Sequence, residues 1–153
     1  MKMSFRMALP CAALFAISAC STMSTISSPH PGTTVSIQQH ELSLPARQNL
    51  KGTSFGNYEF KAVDGDAPPF YGILPLKFKG GRLAADIVLF APAAFFNLRG
   101  AFPYYDFDVA RSVIRYKLHE TDTWSEYRPK PEEAARAQNY FNAKTAKERD
   151  KAG

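Results

Sequence analysis

The stretch Ser112-Val113-Ile114-Arg115-Tyr116-Lys117-Leu118 decides the fold class. Ile114, Tyr116 and Leu118 alternate with Arg115 and Lys117, the period-two pattern of a strand with one buried and one solvated face. Antiparallel sheets tolerate water on one side in this way. Working outward, the same period recurs in Thr34-Val35-Ser36-Ile37-Gln38, in 41–44 through Leu42 and Leu44, and in 58–62 through Tyr58, Phe60 and Ala62. A short piece at 50–53 belongs with them. In 73–79, Leu74, Leu76 and Phe78 alternate with Pro75, Lys77 and Lys79. Pro75 has no N–H to give a ladder, so this segment suits a sheet edge. Gly52, Gly56-Asn57, Asp64-Gly65-Asp66, Pro68-Pro69 and Gly80-Gly81 punctuate the strands, as residues that accept turn conformations should. The expectation is an α+β fold: a small antiparallel sheet or sandwich over 34–142.

Two helical segments complete that expectation. Pro131-Glu132-Glu133 places proline and acids where a helix starts best, and the helix is predicted to run through Ala134, Ala137, Tyr140 and Phe141. Beyond Asn142 the residues 143–153 are polar and read as a frayed tail. Leu83 to Leu98 is apolar around its whole circumference except at Asp86 and Asn97. A helix of about 16 residues would reach roughly 24 Å, short of the hydrocarbon thickness of a bilayer. Pro92 interrupts it, so two short elements near 82–90 and 93–98 are expected. They either cover the sheet or present an apolar patch to a membrane or partner.

Next to that run lies Ala101-Phe102-Pro103-Tyr104-Tyr105-Asp106-Phe107-Asp108, dense in rings. Phe90, Phe95, Phe96, Phe102, Tyr104 and Tyr105 are therefore the candidate interaction surface. Phe70, Tyr71 and Trp124 are further aromatic candidates for a binding face, set against the need of a small core for aromatic mass. Asp106 and Asp108 share a side if the chain is extended, which offers two carboxylates to a proton or cation. The same spacing also serves strand-end hydrogen bonds.

The start of the chain concerns location. Lys2 and Arg6 precede an apolar run, Met7 to Ile17, that ends in Ser18 and Ala19; this is the layout of a secretory signal and too short to span a bilayer. Ile17-Ser18-Ala19-Cys20 resembles the lipobox of bacterial lipoproteins. That resemblance implies cleavage before Cys20, acylation of its thiol and amine, and anchoring by two or three chains, which is stable where one is marginal. Ser21 follows the cysteine where an Asp would mark inner-membrane retention, so the implied location is the outer membrane, periplasmic face. Residues 1–19 form the signal, and 20–33, rich in Ser, Thr and Pro, read as lipidated Cys plus flexible tether. A strand after Gly32, a Leu-Pro stretch and Gly56-Asn57-Tyr58-Glu59-Phe60 loosely resemble PEGA-type β-sandwich modules over 32–63. The Thr-Pro of that family is replaced by Leu44-Pro45.

Composition narrows the remaining classes. The chain has 153 residues, 45% of them apolar, which permits a packed core and excludes disordered or collagen-like readings. Its two cysteines, Cys11 within the signal and Cys20 at the lipobox, leave no disulfide for the body. The net charge of +5 includes Lys2 and Arg6, so a processed chain is only weakly basic and nucleic acid is not an expected partner. His30, His40 and His119 lie far apart, without the spacing of a zinc site. No nucleophile elbow or phosphate-binding glycine loop is present in the sequence, and no cofactor is expected. The sequence points to a small envelope lipoprotein that binds a membrane or envelope protein through 83–107. An envelope enzyme or polysaccharide-binding protein using Asp106, Asp108 and nearby tyrosines is the alternative.

Overall fold

The computed structural model describes residues 21–38, 40–53, 56–78 and 99–152. Residues 1–20, where the export signal and the acylated Cys20 are expected, the apolar run 83–98 with Phe90, Phe95 and Phe96, and the two short helical elements expected there lie outside the described residues.

The fold is α+β and mostly β. Eleven strands are described: β1 (Ser21–Ser27), β2 (Thr34–Ile37), β3 (His40–Ser43), β4 (Ala46–Lys51), β5 (Glu59–Val63), β6 (Phe70–Ile73), β7 (Leu76–Phe78), β8 (Arg99–Ala101), β9 (Tyr104–Asp108), β10 (Val113–Lys117) and β11 (Ser125–Tyr127). One helix follows, α1 (Pro131–Ala152). The strands form a five-stranded sheet in the order β11-β10-β9-β1-β4, a four-stranded sheet in the order β3-β2-β5-β6, and the pair β7-β8. All pairings are antiparallel except β1 with β9.

The two larger sheets face each other across one core. Ile26, Leu50, Tyr105, Phe107 and Ile114 come from the five-stranded sheet, and Val35, Ile37, Phe60, Ala62 and Phe70 from the other. The rings of Phe60 and Phe107 meet edge to face across the gap, centroids 5.1 Å apart, the arrangement that ring quadrupoles favour. Gly72 lies opposite Phe60 on β6, and a Cβ there would come within 2.8 Å of the Phe60 ring and 2.5 Å of Pro129 Cγ. Only a glycine admits both neighbours at this site.

Helix α1 covers the outer face of the four-stranded sheet through Ala134, Ala137 and Phe141, at the spacing of one helical stripe. Phe141 meets Tyr71 at 6.3 Å, and Arg136 Nε donates to the buried Glu59 carboxylate at 3.2 Å. Its first turn is closed as the sequence suggests. The N–H groups of Glu133 and Ala134 donate to the Lys130 carbonyl, while the Glu133 carboxylate accepts from the Lys130 N–H at 2.8 Å, the returning half of a capping box.

Three expectations need correction. Residues 21–33 are not a tether: Ser21–Ser27 is the strand between β9 and β4, with Ser24 and Ile26 fully buried. A serine can occupy the core there because its hydroxyl donates to the Phe102 carbonyl at 2.7 Å, which removes the cost of a bare buried donor. The segment 73–79 is two strands, since the chain leaves one sheet after Ile73 and joins β8 from Leu76, with Pro75 at the break. The tail 143–153 continues α1 to Ala152 instead of fraying, carried by Lys, Glu and Ala, which favour helix. Its i,i+4 pair Lys144–Glu148 is 3.8 Å apart.

Candidate functional site

The β9–β10 hairpin builds the most chemically loaded surface. Along β9, Tyr105 and Phe107 point into the core, so Tyr104, Asp106 and Asp108 take the outer face of the five-stranded sheet. Strand register extends this face in rows. One row runs Lys117, Tyr104, Thr25, Arg47 and the next runs Glu126, Arg115, Asp106, Ser27. On β1 and β4, Met23 stands opposite Asn49, and Ser21 opposite Lys51.

Cross-strand pairs satisfy the charges of this face. Arg115 grips Asp106 with both Nε, at 2.9 Å, and a terminal nitrogen, and the Ser27 hydroxyl donates to the same carboxylate at 2.7 Å. Asp108 accepts the Arg111 N–H at 3.0 Å and lies 3.7 Å from its guanidinium, closing the turn in which Ser112 adopts a positive φ. Arg111 also reaches Glu126 at 3.3 Å. The Lys117 ammonium donates to the Glu120 carbonyl and sits between two rings, 5.4 Å from Tyr104 and 4.7 Å from Trp124. Arg115 lies 5.8 Å from the Trp124 ring. Such contacts hold both cations and rings in place.

The candidate residues thus divide. Tyr104 is on the outer face, half-exposed. Phe102 is half-buried against Tyr116, 4.5 Å between centroids, and Tyr105. Tyr105 is not an interaction residue: it is fully buried, its hydroxyl donating to the Pro75 carbonyl at 2.7 Å and accepting from the Phe102 N–H at 2.9 Å. Burial pushes its phenol well above the ordinary tyrosine range. Asp106 and Asp108 share a face, yet each is bound to a different arginine, so they do not form a shared-proton pair.

Grooves open beside several of these elements. One of ≈ 500 Å³ is lined by Pro68, Pro69, Tyr71, Pro129 and Pro131. A second of ≈ 430 Å³ lies by Pro75, Arg99, Tyr116, Tyr127 and Glu133, where burial and the Glu133 hydrogen bond push the Tyr127 phenol upward. A third, ≈ 240 Å³, lies by His40, Asn49 and Tyr58. Neither Asp106 nor Asp108 lines any of them. Among the described residues no three His, Cys, Asp or Glu side chains cluster as metal ligands. His119 instead faces Asp122 at 3.1 Å, whose carboxyl is held below the usual range, chiefly by the His119 backbone N–H.

Comparison of the chain with protein-family models, with curated proteins and with solved structures returns no match.

Sequence reading missed Met23, Arg47, Lys51 and the partners of Lys117. Arg115 and Lys117 were visible as the polar face of a strand. Their assembly with β1 was hidden because Ser21–Ser27 has only Met23 and Ile26 as large apolar residues, three apart and on opposite faces.

Proposed function

We propose that this chain is a small envelope lipoprotein, held in the outer membrane on its periplasmic face by acyl chains on Cys20, with a binding or structural role. Its contact region is 83–107, from which Tyr104 joins the outer face of the five-stranded sheet. The observation that carries the reading is the junction at Cys20. A charged start, an apolar run and a lipobox-like Ile17-Ser18-Ala19-Cys20 come first, and β1 follows directly from Ser21. An acylated Cys20 would thus attach the membrane to a sheet strand with no linker between.

The test is the mass of the N-terminal peptide from the protein purified in its own envelope, together with a Cys20→Ala variant. Diacylglyceryl and acyl additions at Cys20, and loss of the variant from the membrane fraction, are expected. An unmodified Cys20, or an unchanged distribution of the variant, overturns the reading.

A second reading, polysaccharide binding, is favoured by the Tyr104 and Trp124 rings that bracket Lys117. Rings and a cation side by side suit acidic sugars. Asp106 and Asp108 do not serve it, being engaged by Arg115 and Arg111.

A further inference from the structure

We infer that the outer face of the five-stranded sheet is a lipid-contact face, lying on the anionic headgroups of the leaflet that holds the acyl chains. The inference rests on the anchoring reading above and deepens it by assigning the surface that meets the membrane.

Its first support is where apolar surface is left uncovered. Among the described residues the exposed large apolar side chains are Met23 at 53%, Leu118 at 39% and Trp124 at 38%. Two of the three belong to this face: Met23 by register, and Trp124, which stacks on its Lys117. The other described large apolar side chains are at least partly covered.

Its second support is the sign of the charge that remains. Every acid of the face is met by a guanidinium: Asp106 by Arg115, Asp108 and Glu126 by Arg111. With Arg47, Lys51 and Lys117 added, the face carries five cations against three acids, a surplus of two positive charges. Arg47 and Lys51 are exposed and make no ion pair among the described residues. Indole rings with neighbouring Lys and Arg favour the headgroup level, where the ring is half-immersed and the cations meet phosphate.

The third support is reach. Met23 is three residues past Cys20, about 10 Å along an extended chain. Because β1 is hydrogen-bonded on both sides, to β4 and β9, the sheet cannot swing away on a loose leader. An anchor at Cys20 keeps it within headgroup distance.

The single Trp of the chain is Trp124, so its fluorescence reports this face alone. The acylated protein, processed at Cys20, is placed in phosphatidylcholine vesicles with and without phosphatidylglycerol. Acyl chains hold it on both, and only the headgroup charge differs. The expected result is a blue-shifted Trp124 emission, shielded from acrylamide, in the phosphatidylglycerol vesicles, reversed by high salt. Arg47→Gln with Lys51→Gln should reduce the ratio of shielded to open Trp124 on the order of thirty-fold, at roughly five-fold per cation. Arg47→Gln alone, an exposed position, serves should the double variant lose its fold by circular dichroism. Trp124 equally open to acrylamide on both vesicles overturns the lipid-contact face while leaving the anchor intact. Shielding that appears only when an acidic polysaccharide is added also overturns it, in favour of the sugar reading. A mass showing unmodified Cys20 overturns anchor and face together.

Discussion

The ring of Phe60 on β5 stands edge-on to that of Phe107 on β9, planes inclined at 75° and centroids 5.1 Å apart. Phe60 makes a second such contact with Phe70 at 5.1 Å. The Phe60–Phe107 contact joins the two sheets where both rings are fully buried, in a body with no disulfide to share the task. Phe60→Ala and Phe107→Ala should each lower the free energy of unfolding by about 3–5 kcal/mol, the range for a deleted core ring. Denaturant titration checks this: the midpoint should fall with little change in slope. A loss under about 1 kcal/mol at either site would mean that the sheets are not held through these rings.

Arg115 and Asp106 stand directly opposite on β10 and β9, and the Asp106 side chain is 8% exposed. Arg115→Leu leaves that charge with the Ser27 hydroxyl as its remaining bond. Breaking a fully buried pair costs roughly 3–5 kcal/mol. Arg115 is partly exposed, so about 2 kcal/mol is expected here. Replacing both residues with Leu removes the orphaned charge and should recover part of the loss, read from a double-mutant cycle. A double variant less stable than the sum of the single losses would contradict the pairing.

Much of this was legible in the sequence, for a physical reason that also explains the misses. Strands β2, β5 and β10 have one apolar and one polar face, so hydropathy records their period. The start of α1 was legible from Pro131 and its following acids. Strand β1 was not, because Ser24 is buried by a hydrogen bond and not by hydrophobicity, a property that period counting does not register. Strand β11 was missed because Ser125 and Glu126 are exposed on an edge. The candidate surface was half legible: alternation separates Tyr104 from Tyr105, but the row that carries Tyr104 on to Thr25 and Arg47 depends on a parallel β1–β9 pairing that links residues far apart in the chain.

Tyr105 gives a prediction on pH. Its phenol is neutral in the fold and burial holds its pKa above the ordinary value of 10.0. Tyr58 and Tyr127 are also raised, by burial first. Above pH 10 the unfolded chain therefore releases phenolic protons that the folded chain keeps. By linkage, stability is fully present below pH 10 and falls as pH rises above it. Tyr105→Phe should flatten this alkaline decline while lowering stability near neutrality by about 1–3 kcal/mol, since the Pro75 carbonyl and Phe102 N–H lose their partner. Unfolding curves from pH 8 to pH 11 for the two proteins test both parts; an unchanged alkaline slope would remove Tyr105 as its source.

Helix α1 separates into a half that packs and a half that does not. Ala137 is fully buried and Phe141 nearly so, against Tyr71, whereas among the described residues from Asn142 on only Lys144 is partly covered. Phe141→Ala should therefore cost about 2–3 kcal/mol, toward the low side for a ring because the site is at the rim of the helix contact. Ending the chain after Asn142 should cost less than about 1 kcal/mol, since it removes exposed backbone and side chains that bury little. Thermal unfolding of the two variants side by side decides the matter. A truncation as damaging as Phe141→Ala would show that the last turns stabilise the helix on the sheet, which their exposure argues against.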